Sequence, residues 1–294
     1  MKKMIITGSS GQIGSLVRQR AEKTYDVIGI GKEAHPLVDI VLDLADSDAF
    51  SRYLEHSSPD VIVHTAALTW VDYSEDHKEE TDANNVRPIE TIKQYVESAK
   101  QHPQVIFISS DYVYDGIKTN GLYTEEDSVH PLNYYGVSKV KGEEILRTYS
   151  NHCILRTGVV FSWQQTGKNF FMQVYSKLAA GEDMKVVDDQ ISNPTYAPSL
   201  VEAIMRVAEK EIRGTYNATG PETFNRYEFA HRIADAFNLD TSKLMKAKTA
   251  DFPIKAHRPM NDGTDSSRLC ATIDFQFPAL NKTLEDIKQR MLDT

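Results

Sequence analysis

Cysteine is scarce in this chain: Cys153 and Cys270 are the only two in 294 residues, and no C-x-x-C motif occurs. That excludes a disulfide framework and the common thiolate metal sites, and it fits a reducing compartment. Both thiols sit among apolar residues, which reads as burial. No apolar run approaches the ~20 residues needed to span a bilayer. The N-terminal MKKMIITGSSGQIG loses its apolar character after a few residues in a glycine loop, so it does not read as a signal peptide. These absences predict a cytoplasmic protein with no membrane partner. Basic clusters are missing as well. The net charge is −9, and nucleic acid is excluded as a partner because phosphate neutralisation requires grouped Lys and Arg. Repeats and low-complexity segments are also absent. With 40% hydrophobic and 26% charged residues, the composition is that of a globular chain long enough for a sizeable core.

The first half alternates short apolar runs with longer amphipathic stretches. Strands are predicted at Lys3–Thr7, Asp26–Ile30, Ile40–Leu42, Asp60–His64, Val105–Ser109 and Cys153–Arg156. Helices are predicted at Gln12–Lys23, Ser47–His56, Thr81–Lys100 and Tyr134–Tyr149. The fold class that follows is α/β, a Rossmann doubly wound parallel sheet. The runs VIVHTAA and VIFISS are apolar throughout, as strands covered on both faces are. In the second half, Phe170–Ala180, Pro198–Lys210, Arg226–Phe237 and Leu284–Met291 read as helices. The expected organisation is a dinucleotide-binding domain over residues 1–157, with segments around 189–217 returning to it. Residues 158–294 would mainly form a smaller, discontinuous, C-terminal substrate-binding lobe.

Gly8, Gly11 and Gly14 follow the first strand and lead into the first helix. A tight turn, close backbone approach to a pyrophosphate and helix-on-strand packing each call for glycine, and the helix N-terminus attracts the phosphates. Gln12 and Ile13 stand in the same first turn. The second strand ends Gly31-Lys32-Glu33. Gly31 puts no carboxylate where an NAD ribose would meet one, and Lys32 suits a 2′-phosphate. The expected cofactor is therefore NADP(H). NAD(H) remains open, because Glu33 competes one residue later and a solvated Lys-Glu turn is the plain alternative. Asp43-Leu44, after the third strand, is placed to meet the adenine.

Tyr135 and Lys139 are four residues apart on one face of a predicted helix. An ammonium beside a phenol favours phenolate and suits proton transfer. Ser110, at the end of VIFISS, lies on the catalytic edge of such a sheet, where a hydroxyl can polarise a carbonyl; a Ser-Asp turn is the structural alternative. Asn85 reads as holding a water, a backbone group or an ordinary polar contact. Arg258 is read as a partner for a substrate diphosphate because guanidinium forks match phosphate oxygens, with a salt bridge as its other reading. The chain after Arg156, Gly158–Trp163, is expected to face the same cleft.

With TGSSGQIG, LDLAD, PDVIVHTAALTWVDYSE, ISSDYVYDG, PLNYYGVSKVKGE, LRTGVVF, DQISNPTYA and RPMNDGTDSSRL in view, nearly the whole chain resembles the extended short-chain dehydrogenase/reductases. Among them it is most similar to the dTDP-4-dehydrorhamnose reductase branch. That resemblance implies an NADPH-dependent reduction of the 4-keto group of a nucleotide-linked deoxysugar. Tyr135 would be the proton donor, with Lys139 and Ser110 as its catalytic partners; Tyr135 and Lys139 would also touch the cofactor. It further implies that Ala66 and Ala67 wall the cofactor and that Thr69, Val71, Ser110 and Asp111 meet the sugar. Val159, Trp70 and the run Asp262-Gly263-Thr264 depart from that branch's usual residues, all on the substrate side. No metal-binding cluster is read. A homodimer is left open, as are two other functions: a sugar-nucleotide epimerase or dehydratase, and a non-catalytic NADP-binding regulatory subunit. Dehydratases carry an acidic pair beside the catalytic hydroxyl, whereas Ser110 is followed by the single carboxylate of Asp111.

Overall fold

A computed structural model describes residues 1–164 and 167–292 of the chain. Its centre is a parallel sheet of seven strands: β1 (Lys3–Thr7), β2 (Asp26–Gly31), β3 (Ile40–Val41), β4 (Val61–His64), β5 (Gln104–Ser110), β6 (His152–Thr157) and β7 (Gly214–Asn217). The order is β7-β6-β5-β4-β1-β2-β3, so the chain reverses direction across the sheet between β1 and β4. That reversal opens a crevice beyond the strand C-termini, where ligands of such sheets bind. The register places Ile5 between Ile28 and Ile62.

Alternation along the strands builds a core on each face. Met4, Ile6, Val63, Ile106 and Leu155 point to one side and pack with α1 (Gln12–Ala21) and α8 (Ala197–Glu209). Ile5, Ile62, Val105, Phe107 and Ile154 point to the other, against α2 (Ser47–Ser57), α5 (Arg87–Ser98) and α6 (Tyr134–Arg147). Cys153 and Cys270 are free thiols buried in the first of these cores. A third core, around Phe161, Phe171, Val174, Phe229, Ile233, Leu284 and Ile287, belongs to a lobe made by α7 (Phe170–Ala179), α9 (Arg226–Ala236) and α11 (Leu280–Leu292).

Three elements differ from the sequence-based expectation. The helix expected over Thr81–Lys100 is two helices, α4 (Lys78–Asn85) and α5, preceded by the short α3 (Val71–Asp76). The break falls at Val86 because Pro88 sits in the first turn of α5, where its missing N–H costs nothing, but where it could not continue α4. The edge strand β7 lies beyond any predicted strand. An added helix, α10 (Ser267–Ile273), buries Leu269, Cys270 and Ile273 against the sheet rather than in the lobe. No helix among the described residues is long and apolar enough to cross a membrane.

Candidate active site

The glycine loop is shaped by contact. Gly8 has φ +70°, and a Cβ there would come within 2.9 Å of the Ala66 backbone. A Cβ on Gly14 would lie 2.2 Å from the Gly8 carbonyl oxygen. These two glycines are therefore packing requirements, and Gly11 lines the crevice itself. No side chain caps the N-terminus of α1, and its first turn carries no acidic residue. The partial positive charge of that terminus is thus left to a ligand. A cavity of about 460 Å³ opens here, lined by Gly8, Gly11, Gly31, Lys32, Asp43, Leu44, Ala66, Ala67, Thr69 and Trp70, among others. Its phosphate cradle and its hydrophobic walls at Leu42 and Leu44 fit a dinucleotide. Gly31 is glycine for steric reasons, since a Cβ would sit 2.6 Å from Val38 Cγ2. Lys32 pairs with Asp43 at 2.9 Å on an exposed rim, and Glu33 does not line the cavity.

A second cavity of about 430 Å³ shares Gly11, Thr65, Ala67 and Thr69 with the first. Gln12, Ile13, Val71, Ser110, Asp111, Tyr112, Tyr135, Lys139 and Gly158–Val160 complete its wall, together with Arg226. Local packing explains how Tyr135 reaches Ser110. Asn133 caps α6 by accepting from the Gly136 N–H at 2.9 Å, and a Cβ on Gly136 would lie 2.3 Å from the Tyr112 carbonyl oxygen. The first turn of α6 therefore presses directly on the residues that follow β5. Ser110 Oγ donates to Asp111 Oδ1 at 2.9 Å and accepts from the Tyr112 N–H at 3.1 Å. Asn85 resolves to a backbone clamp. Its Oδ1 accepts from Leu68 N–H at 2.7 Å, and its Nδ2 donates to Leu68 O and to Ser138 Oγ, tying the cofactor-side loop to the catalytic helix.

The electrostatics depart from the sequence-based expectation. Burial, and next the charge of Asp111, holds the Tyr135 phenol above its ordinary range, against a bond from Ser110 that lowers it. Lys139 Nζ donates to the Ile108 carbonyl at 3.1 Å and lies 5.7 Å from the Tyr135 ring centroid. Burial brings this ammonium down to about 8, although Glu143 raises it. Desolvation dominates at the phenol, and Tyr135 is held protonated.

Arg258 is not a wall of this cavity. Its Nη2 donates to Asp72 Oδ2 at 2.8 Å, and Asp72 Oδ1 accepts from the Lys255 and Ala256 N–H groups. This corrects the diphosphate reading: a guanidinium already held by a carboxylate clasps the 255–258 segment to α3. Phe161 and Trp163, expected in the cleft with Gly158–Val160, turn instead into the lobe core. Two residues escaped sequence reasoning. Arg226, at the start of α9, lines the catalytic cavity, and nothing in its helical context signals this. Asp262 is buried and feels the charge of Asp111, 151 residues away in sequence, and its only sequence signal is its departure from the usual run after Arg258-Pro259. Val159 lines the cavity with φ +45°, an uncommon conformation for a β-branched residue.

Comparison with known proteins is consistent with this geometry. The chain is 33% identical to a dTDP-4-dehydrorhamnose reductase of Aggregatibacter actinomycetemcomitans, covering 98% of this chain and 99% of that protein. It is also 33% identical to methionine adenosyltransferase 2 subunit beta of Bos taurus, over 91% of this chain and 81% of that one. A crystal structure of the dTDP-4-dehydrorhamnose reductase of Bacillus anthracis in complex with NADP superimposes with a TM-score of 0.88 at 26% identity, covering 100% of this chain and 99% of that one. The family model described as RmlD substrate binding domain matches residues 1–292, and the chain belongs to that family.

Proposed function

We propose that this protein is an NADPH-dependent reductase of the 4-keto group of a dTDP-linked deoxysugar. The observation that carries the reading is the convergence of Ser110, Tyr135 and Lys139 on one cavity that continues into the glycine-loop crevice. When bound, the nicotinamide supplies a hydride to the keto carbon. The protein's residues supply the rest. The protonated Tyr135 gives its proton to the keto oxygen, and Ser110 offers that oxygen a hydrogen bond. Lys139, also buried, would hold the cofactor ribose. The relatives named as reductases and the NADP complex support this assignment. The likeness to a methionine adenosyltransferase β-subunit keeps a regulatory reading in play, but an open cavity faced by all three catalytic groups favours turnover. NADPH oxidation with dTDP-4-keto-6-deoxysugars tests it; no oxidation across a panel of such sugars rejects it.

A nucleotide-linked substrate is supported by a third cavity, of about 250 Å³, that shares Arg226 with the catalytic one. Phe170, Phe252 and Ile254 line it, and the Arg226 guanidinium lies 5.4 Å from the Phe170 ring centroid. A guanidinium between a sugar-sized and an aromatic-lined chamber suits a diphosphate joining sugar to base. Arg226→Ala is expected to raise KM for the nucleotide sugar roughly 10- to 100-fold, the equivalent of ~1.5–3 kcal/mol for a charged hydrogen bond. NADPH affinity should stay unchanged. Steady-state kinetics check this, and an unaltered KM removes Arg226 from the substrate site.

Cofactor preference is expected to be modest. Lys32 is exposed and already shares Asp43, so a 2′-phosphate should gain about 0.5–1 kcal/mol, or roughly two- to fivefold in Kd over NADH. Titration calorimetry with both dinucleotides measures it. Tighter NADH binding would contradict the role given to Lys32.

A further inference from the structure

Trp70 departs from the branch's usual residue, and the structure turns it away from the substrate side where it was expected. Thr69 lines both cavities and Val71 only the catalytic one, whereas Trp70, between them, lines only the glycine-loop crevice. Trp70 is 68% exposed, the one exposed aromatic residue among those described, and the only aromatic that lines the crevice. An indole left open to water is a large apolar surface, and covering it is favourable.

The segment that carries the indole is fixed by its own contacts. The Trp70 carbonyl accepts from the Ser74 N–H at 2.9 Å and from Ser74 Oγ at 3.1 Å, which sets the first turn of α3. Tyr73 meets the indole edge-on, with ring centroids 6.1 Å apart. Tyr73 is in turn stacked on His77, with centroids 3.7 Å apart, and its hydroxyl donates to Glu80 Oε2 at 2.7 Å. Two residues before Trp70, Asn85 holds both backbone groups of Leu68. A side chain held this way loses little freedom when a ligand covers it. The division between the cavities decides which part of a dinucleotide does so. The nicotinamide must reach Tyr135 and Lys139, which line the catalytic cavity and not the crevice. The crevice, with Lys32, Asp43 and Leu44, is left for the adenosine half. We propose that Trp70 is a cofactor-binding residue whose indole packs on the adenosine half of bound NADP(H). The contact does not involve the 2′-phosphate, so it strengthens NADPH and NADH alike, unlike Lys32. This assignment of the two halves rests on the reductase reading, and binding alone tests it.

The probe is 2′-phospho-ADP-ribose, which carries the adenosine half without nicotinamide. Trp70→Ala is expected to weaken this probe, NADPH and NADH by one common factor, roughly 5- to 100-fold in Kd, as loss of base–aromatic stacking does. Trp70→Phe, which keeps a ring, should recover most of that loss. Titration calorimetry measures all three ligands. An unchanged Kd for 2′-phospho-ADP-ribose in Trp70→Ala overturns the proposal, and so does a loss confined to the ligands that carry nicotinamide. Fluorescence reads the contact separately. The chain has two tryptophans, so Trp163→Phe leaves Trp70 as the only one. Its quenching by acrylamide should fall when 2′-phospho-ADP-ribose saturates the protein; quenching as efficient as in the free protein overturns the proposal. If Trp163→Phe does not fold, the difference in quenching between wild type and Trp70→Phe isolates the same indole. Protection of Trp70 with no reduction of any keto sugar supports the contact and rejects the reductase reading alone.

Discussion

Tyr135→Phe is expected to lower turnover by ~10²–10⁴-fold, the usual worth of general acid catalysis, while leaving the Kd for NADPH within about twofold of wild type. The substitution removes one oxygen and keeps the ring that packs edge-on to Tyr112, with ring centroids 6.2 Å apart. The phenol is half-buried in the cavity wall, and burial first and the charge of Asp111 next raise it above its ordinary range, so it stays protonated until a substrate oxygen accepts from it. Single-turnover kinetics at saturating NADPH isolate the chemical step from product release. A rate within a few-fold of wild type would take the proton transfer away from Tyr135 and leave Ser110, hydrogen-bonded to Asp111, as the donor.

Glu143→Leu should destabilise the fold by about 3–5 kcal/mol, because it strands a buried guanidinium. Arg156 is 1% exposed, and its Nε and Nη2 donate to Glu143 Oε1 and Oε2 at 3.0 and 2.7 Å. The same carboxylate accepts from Ser109 Oγ at 2.6 Å and from Arg147 at 2.7 Å, while Arg156 Nη1 donates to Tyr114 Oη at 2.7 Å. One network thus joins β5, β6 and α6 next to Ser110 and Lys139. Urea unfolding followed by circular dichroism should show the loss. Replacing Glu143 and Arg156 together by leucine should cost clearly less than the single change, since no uncompensated charge remains. Equal stability of the single variant and the wild type would show that solvent reaches Arg156.

The parts of this architecture that follow local rules were legible in advance. Strand and helix positions followed the apolar periodicity, and the crevice followed from a glycine trio between the first strand and first helix. Tyr135 and Lys139 share a helix face at any i, i+4 spacing. The errors came from contacts between distant segments. A guanidinium at Arg258 suits phosphate by residue type, yet Asp72, far away in sequence, holds it. Spacing alone puts the Lys139 ammonium near the Tyr135 phenol, but desolvation, which depends on how the helix packs, dominates the titration of both. The break at Val86 was locally encoded by Pro88 and could have been read.

By itself, then, the sequence determined the parallel sheet, the dinucleotide crevice and the identity of the hydroxyl, phenol and ammonium at its edge. Each of these depends on residue type and on separations of a few positions. Only the tertiary structure decided which arginine lines the cavity with Ser110 and Tyr135, and that Asp262 is buried where the charge of Asp111 acts on it. Burial, charge coupling and salt-bridge partners are properties of segments brought together from opposite ends of the chain, and no local pattern encodes them.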